Sequence, residues 1–494
     1  VWAQSEGALK LLRTPKVALV LGNSKYKDAP ELKNPANDAR AIGEALKGSG
    51  FATTVKLDTG REEMLAAIRD YVHAMESRKS VGLFYFAGHG VQLAWRNYLL
   101  PVDAVIDKIE DVAKQSIDIA RLMEGLTRAA NPMNVIILDA CRENPFGKDF
   151  RVEQKGLSQM DAPIHTLLAY ATGPGNVASD GEGVNGLYTE HLLREIRVPE
   201  AKIEDVFKRV RLGVRRKTNG AQIPWESTSL EDDFWFYPPA QLKKLSEEEK
   251  ERLFKEESAL WEKAKAAAEP GPIEEYLRRY PSGDFAELAQ LQLDRLLAKQ
   301  GEKRIQIASS DGNPFTKGTV AVNTAYKIGD SYTYRRLDLY SRAERGTGTQ
   351  TVERVTDDQV IFSGGLITDL LGNTKRLPDG REFTDNQNIP LEFALGKRWV
   401  TRYKLRTPDG ESSNETEYRV AAREPLTVPA GTFNAFRVEG HGHGYSPRGQ
   451  ATLTFKFWYD PERVRLPIAR EELVVAGSRT IRAGRYELVS YKQG

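Results

Sequence analysis

The chain of 494 residues contains a single cysteine, Cys141, so no disulfide can form within it and no cysteine-rich metal site can be built. It has no excess of charge of either sign: 71 Lys and Arg stand against 69 Asp and Glu, a formal net charge of +2. That balance gives no general attraction to nucleic acid or to an anionic membrane. Nor does any apolar run approach the roughly 20 residues that a helix needs to cross a bilayer. The longest are strand-sized pieces such as Val17–Leu21 and Val135–Leu138, so no transmembrane segment is expected. What the chain does have is length. At about 150 residues per domain it should hold two to four units. With 40% hydrophobic and 28% charged residues, it should fold.

Its first residues, Val1-Trp2-Ala3-Gln4, put small side chains where an export signal is cleaved, before Gln4. A periplasmic or secreted location is therefore expected, with a cytoplasmic one as the alternative. In an oxidising compartment a lone thiol is a liability, which favours a chemical role for Cys141.

Between residues 14 and 238, strand-like runs alternate with amphipathic helices. The strands are expected at Lys16–Leu21, Phe51–Leu57, Val81–Phe86, Asn134–Asp139, Thr166–Ala171 and Asp233–Tyr237. Runs such as Val-Gly-Leu-Phe-Tyr-Phe are apolar throughout, as in strands covered on both faces, so the expected fold is a mostly parallel six-stranded sheet between helices. Residues 239–300, charged and broken by Pro270-Gly271-Pro272, are expected to form a helical spacer. Residues 301–323 are rich in Gly, Ser, Asp and Asn and are expected to be a linker. From 324 to 494 helical patterning gives way to alternating segments between Gly, Pro and Asp turns, which predicts an all-β domain, sandwich or open barrel.

Two strand ends carry the chemistry. One reads Phe84-Tyr85-Phe86-Ala87-Gly88-His89-Gly90, the other Ile136-Ile137-Leu138-Asp139-Ala140-Cys141-Arg142. Reactive groups in open α/β sheets collect at the carboxyl ends of strands. A His flanked by Gly there is expected to leave its ring exposed and open to close approach, with the Cys141 sulfur facing the same crevice. Fifty-two positions separate the two residues, close to the spacing of about 50 between His and Cys in caspases.

Four motifs extend the likeness: Phe-Ala-Gly-His-Gly-Val-Gln (86–92), Asn-Tyr-Leu-Leu-Pro-Val-Asp-Ala (97–104), Leu-Asp-Ala-Cys-Arg-Glu-Asn-Pro (138–145) and Tyr-Ala-Thr-Gly-Pro-Gly-Asn-Val-Ala-Ser-Asp-Gly (170–181). With them the segment 14–238 resembles the caspase-like cysteine peptidases, specifically their bacterial metacaspase-like (orthocaspase) branch. It departs from the animal caspase pattern where Asp139 stands for a Gln and Glu143 for a Gly. The resemblance implies a caspase fold, Cys141 as nucleophile, His89 as general acid and base, and the N–H groups of Gly90 and Cys141 as an oxyanion hole. It also implies an S1 pocket lined by Asp38 and Asp139, with Asp180 as a further candidate, selecting Arg or Lys at P1. Two carboxylates match a guanidinium fork and repel an acidic side chain. The expected partners are thus protein or peptide substrates with a basic P1 residue.

Many metacaspases need calcium. Here Asp103, Asp107, Asp118 and Asp149 could offer oxygens, but Lys148 falls where the family often has an acid and no spaced ligand set is present, so no cofactor is expected to be required. Lys148, Arg151 and Lys155 are candidate self-cleavage sites in a loop after Cys141. Two other readings of the chain remain open at this point: a catalytically silent caspase-fold scaffold, and a C-terminal β module that binds lipid, glycan or an envelope protein with the peptidase as its effector. The C-terminal segment 424–438 and Phe457-Trp-Tyr-Asp-Pro loosely resemble a β domain of exported bacterial proteins of unknown function. His441 and His443 alternate on one strand face but lack a third ligand, so no metal is assigned to them. Arg215-Arg216-Lys217 reads as a solvated helix end and not as a nucleic-acid site.

Overall fold

The computed structural model describes residues 6–141, 146, 156–178, 181, 183–242, 245–408, 410–447 and 449–494, with Cys141 described through its backbone only. The chain forms two compact units, residues 1–247 with 298–318 and residues 248–297 with 319–494.

The first unit is assembled from α1 (Glu6–Arg13), β1 (Lys16–Gly22), α2 (Pro35–Gly48), β2 (Ala52–Leu57), α3 (Arg61–Arg78), β3 (Val81–Leu93), β4 (Arg96–Leu99), α4 (Ile109–Gln115), β5 (Ile117–Asp118), α5 (Ile119–Ala129), β6 (Met133–Cys141), β7 (Thr166–Tyr170), α6 (Leu187–Ile196), α7 (Ile203–Lys217) and β8 (Trp225–Thr228). Six strands form the main row of the sheet in the order β2-β1-β3-β6-β7-β8, and the short β4 and β5 pair alongside it. All pairings in the row are parallel except that of β7 with β8. β3 is buried from Val81 to Gln92, as a strand covered on both faces must be. α3 packs on α5, and α2 and α7 pack on α6.

Two sequence expectations for this unit are corrected. The sixth strand is Trp225–Thr228, antiparallel to β7. The expected strand Asp233–Tyr237 makes only an isolated bridge, Lys202 to Trp235. Phe234, Trp235 and Phe236 are all buried, and Phe234 and Phe236 pack with Phe51 in an aromatic cluster. Their hydrophobic run reflects core packing without a ladder.

The stretch 301–323 is not a free linker. Residues 298–318 belong to the first unit as a strap held by backbone and buried charge. Ile305 N–H donates to the Gly220 carbonyl (3.0 Å) and Ala308 N–H to that of Pro174 (3.1 Å). Glu302 receives Arg215 bidentately, at 3.0 and 2.6 Å, with both side chains almost fully buried. Arg215 is therefore a core ion-pair partner, contrary to its expected place on a solvated helix end.

In the second unit, α8 (Glu247–Ala267), α9 (Pro270–Arg279) and α10 (Ala286–Lys299) adjoin a closed barrel of twelve antiparallel strands. Closure is made by Ser331–Asp338 pairing with the last strand, Arg479–Lys492, so the barrel is neither the sandwich nor the open form expected. The helices are keyed to it by buried polar groups. Asp284 accepts from the Arg402 N–H (2.7 Å), and Asp385 accepts from the Trp261 indole (2.9 Å) and Lys265 (2.7 Å). Burial, with Glu257 nearby, pushes the Asp284 carboxyl up to about 8.

Two outcomes are expected. Glu302→Gln leaves Arg215 without its buried counter-charge and should cost about 3–5 kcal/mol, read as faster protease cleavage within 298–318 and a lower midpoint of chemical unfolding. For Asp284 the folded state retains a proton that the unfolded chain releases near pH 4. The contribution of Asp284 to the stability of the second unit should therefore fall as pH rises toward 8, by at most about 1.4 kcal/mol per pH unit, and level off above it. Amide exchange of α8 and α9 at stepped pH checks this, with Asp284→Asn expected to flatten the slope.

Candidate active site

Strand order sets the location. From β1 the chain adds β2 on one side and β3 on the other, a topological switch point whose crevice lies beyond the carboxyl ends of the strands. Gly22, Ala87 and Asp139 lie in one register row across β1, β3 and β6. Gly22 allows α2 to begin directly against the end of β1, since a Cβ there would come within 2.4 Å of the Pro35 carbonyl oxygen.

The register then breaks. Ala87 pairs with Asp139, but the next pair is Gly90 with Cys141, so β3 carries one more residue than β6 across this interval. Gly88 absorbs the irregularity at φ +156°, and a Cβ there would meet the Tyr26 hydroxyl at 2.4 Å and the Phe86 ring at 2.8 Å. The result brings the backbone of Cys141 opposite Gly90, next to His89.

His89 is held from three directions. Its N–H donates to the Tyr26 hydroxyl at 2.8 Å, its ring lies 4.6 Å from the Tyr26 ring, and its Nε2 is 2.8 Å from the Pro30 carbonyl oxygen. A carbonyl can only accept, so Nε2 carries the proton of the neutral ring and Nδ1 bears the lone pair. The ring is not exposed, as a Gly-flanked strand end suggested. The residue is 4% accessible, because β3 runs on past it to Leu93 and β4 folds back along it, Leu100 N–H donating to the His89 carbonyl.

Asp38 and Asp139 are both buried at this end of the sheet, at 0% and 2% exposure. Asp38, in the first turn of α2, accepts from the Asn185 side chain and the Gly186 N–H, each at 2.9 Å. Asp139 accepts from the Thr189 hydroxyl at 3.0 Å, which in turn meets the Tyr85 hydroxyl at 2.6 Å. Burial and the two carboxylates, Asp139 ahead of Asp38, drive the Tyr85 phenol well above its ordinary range. One tyrosine thus senses both acids.

The strap of residues 298–318 reaches the loop that follows β7. Besides the Ala308 contact to Pro174, the Asn176 amide donates to the Gln306 carbonyl (2.8 Å). Asp161, in the segment leading to β7, accepts from the Thr316 hydroxyl and the Lys317 N–H, both at 2.7 Å. Asp180, Asp149, Lys148, Arg151 and Lys155 lie outside the described residues. Of the remaining calcium candidates, Asp103 accepts from the Arg61 N–H at the start of α3. Asp118 caps α5 through Ala120 N–H and pairs with Arg96 at 2.6 Å, and Asp107 is exposed. These oxygens serve separate structural ends, and no three His, Cys, Asp or Glu side chains among the described residues converge as metal ligands. His441 and His443 are exposed on the barrel.

Tyr26, Pro30 and Thr189 escaped the sequence reading. Tyr26 sits in an unpatterned loop, Pro30 contributes a backbone atom that any residue carries, and Thr189 is one polar position in an amphipathic helix. A Ser or Thr facing the sheet from α6 was the single available hint.

A family model described as the caspase domain matches residues 15–235. The human mucosa-associated lymphoid tissue lymphoma translocation protein 1 is 26% identical over 235 residues, 47% of this chain and 28% of that protein. Its mouse homolog is also 26% identical over 235 residues, 27% of its own length. The chain thus spans less than a third of these relatives. Motif, strand order and matched segment agree that residues 15–235 form a caspase-like α/β domain.

Proposed function

We propose that the first unit is a cysteine endopeptidase that works through Cys141 and His89 and favours Arg or Lys at P1. The observation that carries this reading is the register break at Gly88, which sets Gly90 opposite Cys141 beside an imidazole oriented by Tyr26 and Pro30.

In this reading Nδ1 of His89 takes the thiol proton of Cys141, and the sulfur adds to the scissile carbonyl carbon. The tetrahedral oxyanion is received by the N–H groups of Gly90 and Cys141, each such donor being worth roughly 3 kcal/mol. The C–N bond breaks as His89 returns its proton to the leaving amine. Water then adds to the thioester, giving a proton to the same ring, and the Cys141 sulfur departs and is reprotonated. Pro30 supports the cycle by stabilising the imidazolium through its carbonyl dipole. Asp38 and Asp139 form the acidic wall of the S1 pocket, with Asp180 as a third contributor. Their burial strengthens attraction to a guanidinium and makes an acidic P1 side chain costly.

The test is hydrolysis of fluorogenic peptides that differ only in Arg or Asp at P1, with calcium and with chelator. The expected outcome is cleavage after Arg, lost in Cys141→Ala, with the KM for the Arg peptide raised about tenfold or more in Asp139→Asn. Hydrolysis that persists in Cys141→Ala overturns the nucleophile. Cleavage after Asp that is lost in Cys141→Ala retains the nucleophile and overturns the acidic pocket.

A further inference from the structure

The barrel of the second unit holds a partly open cavity of about 780 Å³, within the range of about 300–1,000 Å³ usual for small-molecule sites. Barrels of this kind either fill their interior with side chains or keep room for a ligand. Here the room is kept. Phe362, Tyr403 and Tyr418 are buried in its wall, and Phe455 and Phe457 present their rings from the strand Gly449–Tyr459. Opposite Tyr418 the neighbouring strand carries Gly440, where a Cβ would come within 2.3 Å of the Tyr418 ring. A larger residue would push that ring aside.

One part of the inner wall is apolar, built from aromatic rings, and much of the rest is polar. The Tyr418 hydroxyl donates to the Asn388 side chain (3.1 Å) and that of Tyr334 to the Pro467 carbonyl (2.8 Å). These rings therefore offer the cavity mainly their hydrocarbon faces. Burial raises the phenols of Tyr334, Tyr403 and Tyr418 above their ordinary range, so they add no negative charge. At the other side the lining passes into exposed residues, Arg345 to Thr349, which form the mouth.

The charge around the cavity is one-sided. Its charged lining residues are five arginines and two glutamates. Arg345, Arg381 and Arg482 are paired with Asp338, Asp379 and Glu472, and Glu471 is held by Arg342 and Arg485. Arg336 and Arg470 differ: neither has a carboxylate in ion-pair distance among the described residues. They stand in one register row, Arg336–Tyr486–Arg470–Phe457, across four adjacent strands. Arg470 lies 4.2 Å over the Tyr486 ring, which fixes the guanidinium in place.

We propose that this barrel binds a single-chain amphiphile with an anionic head, such as a long-chain fatty acid, its chain among Tyr418, Phe455 and Phe457 and its carboxylate on Arg470 and Arg336. Two guanidiniums in one register row of a cavity partly lined by aromatic rings supply fork-shaped donors for a carboxylate, while the chain gains the burial that water denies it. This site is independent of the peptidase chemistry and stands or falls separately.

The experiment uses the full chain. Fluorescence of cis-parinaric acid is titrated, then displaced with palmitic acid or with hexadecanol, its neutral counterpart. Saturable uptake is expected, with palmitic acid displacing the probe at about tenfold lower concentration than hexadecanol. In Arg336→Gln/Arg470→Gln that preference should disappear and probe affinity should fall roughly ten- to hundredfold. Both arginines lie outside the barrel's packed core, and amide exchange of the barrel strands checks its integrity. Sedimentation with phosphatidylglycerol vesicles distinguishes a free fatty acid from a membrane lipid. Absence of saturable uptake, equal displacement by acid and alcohol, or capture by anionic vesicles without probe uptake each overturns the proposal. The acid–alcohol comparison on the wild type keeps it testable should the double variant fail to fold.

Discussion

The pairing of β3 with β6 is the constraint on which the first unit depends. Both strands are internal to a parallel row, so each backbone group must find its partner in the neighbouring strand or be left unsatisfied in the core. Regular pairing continues to Ala87 and Asp139. Past that point the extra residue in β3 carries His89 out of step, and only glycine fits at position 88 beneath the Tyr26 hydroxyl and the Phe86 ring. A regular register would keep the strand intact but remove the offset on which the candidate dyad rests.

Around this break several buried polar groups are tied to distant parts of the chain. Tyr26 and Pro30 orient the imidazole from the loop after β1. Thr189 reaches from α6 to Asp139 and Tyr85, and Asn185 and Gly186 reach to Asp38. Loops from both sides of the sheet's midline thus converge on its carboxyl edge. Burying carboxylates is costly unless donors compensate. That requirement explains why so many loops from distant parts of the chain meet there. The strap at 298–318 belongs to the same pattern, clamping the segments on either side of β7 through backbone hydrogen bonds and α7 through a bidentate ion pair.

The second unit solves a different problem. Twelve of its described strands close on themselves, so the barrel they form offers no open edge to another chain. The helices keyed to it through Asp284 and Asp385 show how acids that a simple reading assigns to solvent become structural when tertiary packing surrounds them.

The sequence by itself determined the class of both domains. Runs such as Val81–Phe86 and Asn134–Asp139 read as internal parallel strands, and the turn-rich alternation after residue 324 as β structure. It also marked His89 and Cys141 as candidates, because Gly-flanked and strand-terminal positions leave a local trace, and Asp38 and Asp139 through the family resemblance. It misplaced the sixth strand, because three buried aromatics at 234–236 have the hydropathy of a strand whether or not a neighbour offers a ladder. It misread 301–323 as a linker, because polar composition describes how a segment is solvated and not what it is hydrogen-bonded to. The burial of His89, the carbonyl of Pro30, the Arg215–Glu302 pair and the cavity of the barrel were decided by tertiary structure alone. Each depends on residues far apart in the chain meeting at a fixed distance, and local periodicity carries no term for that.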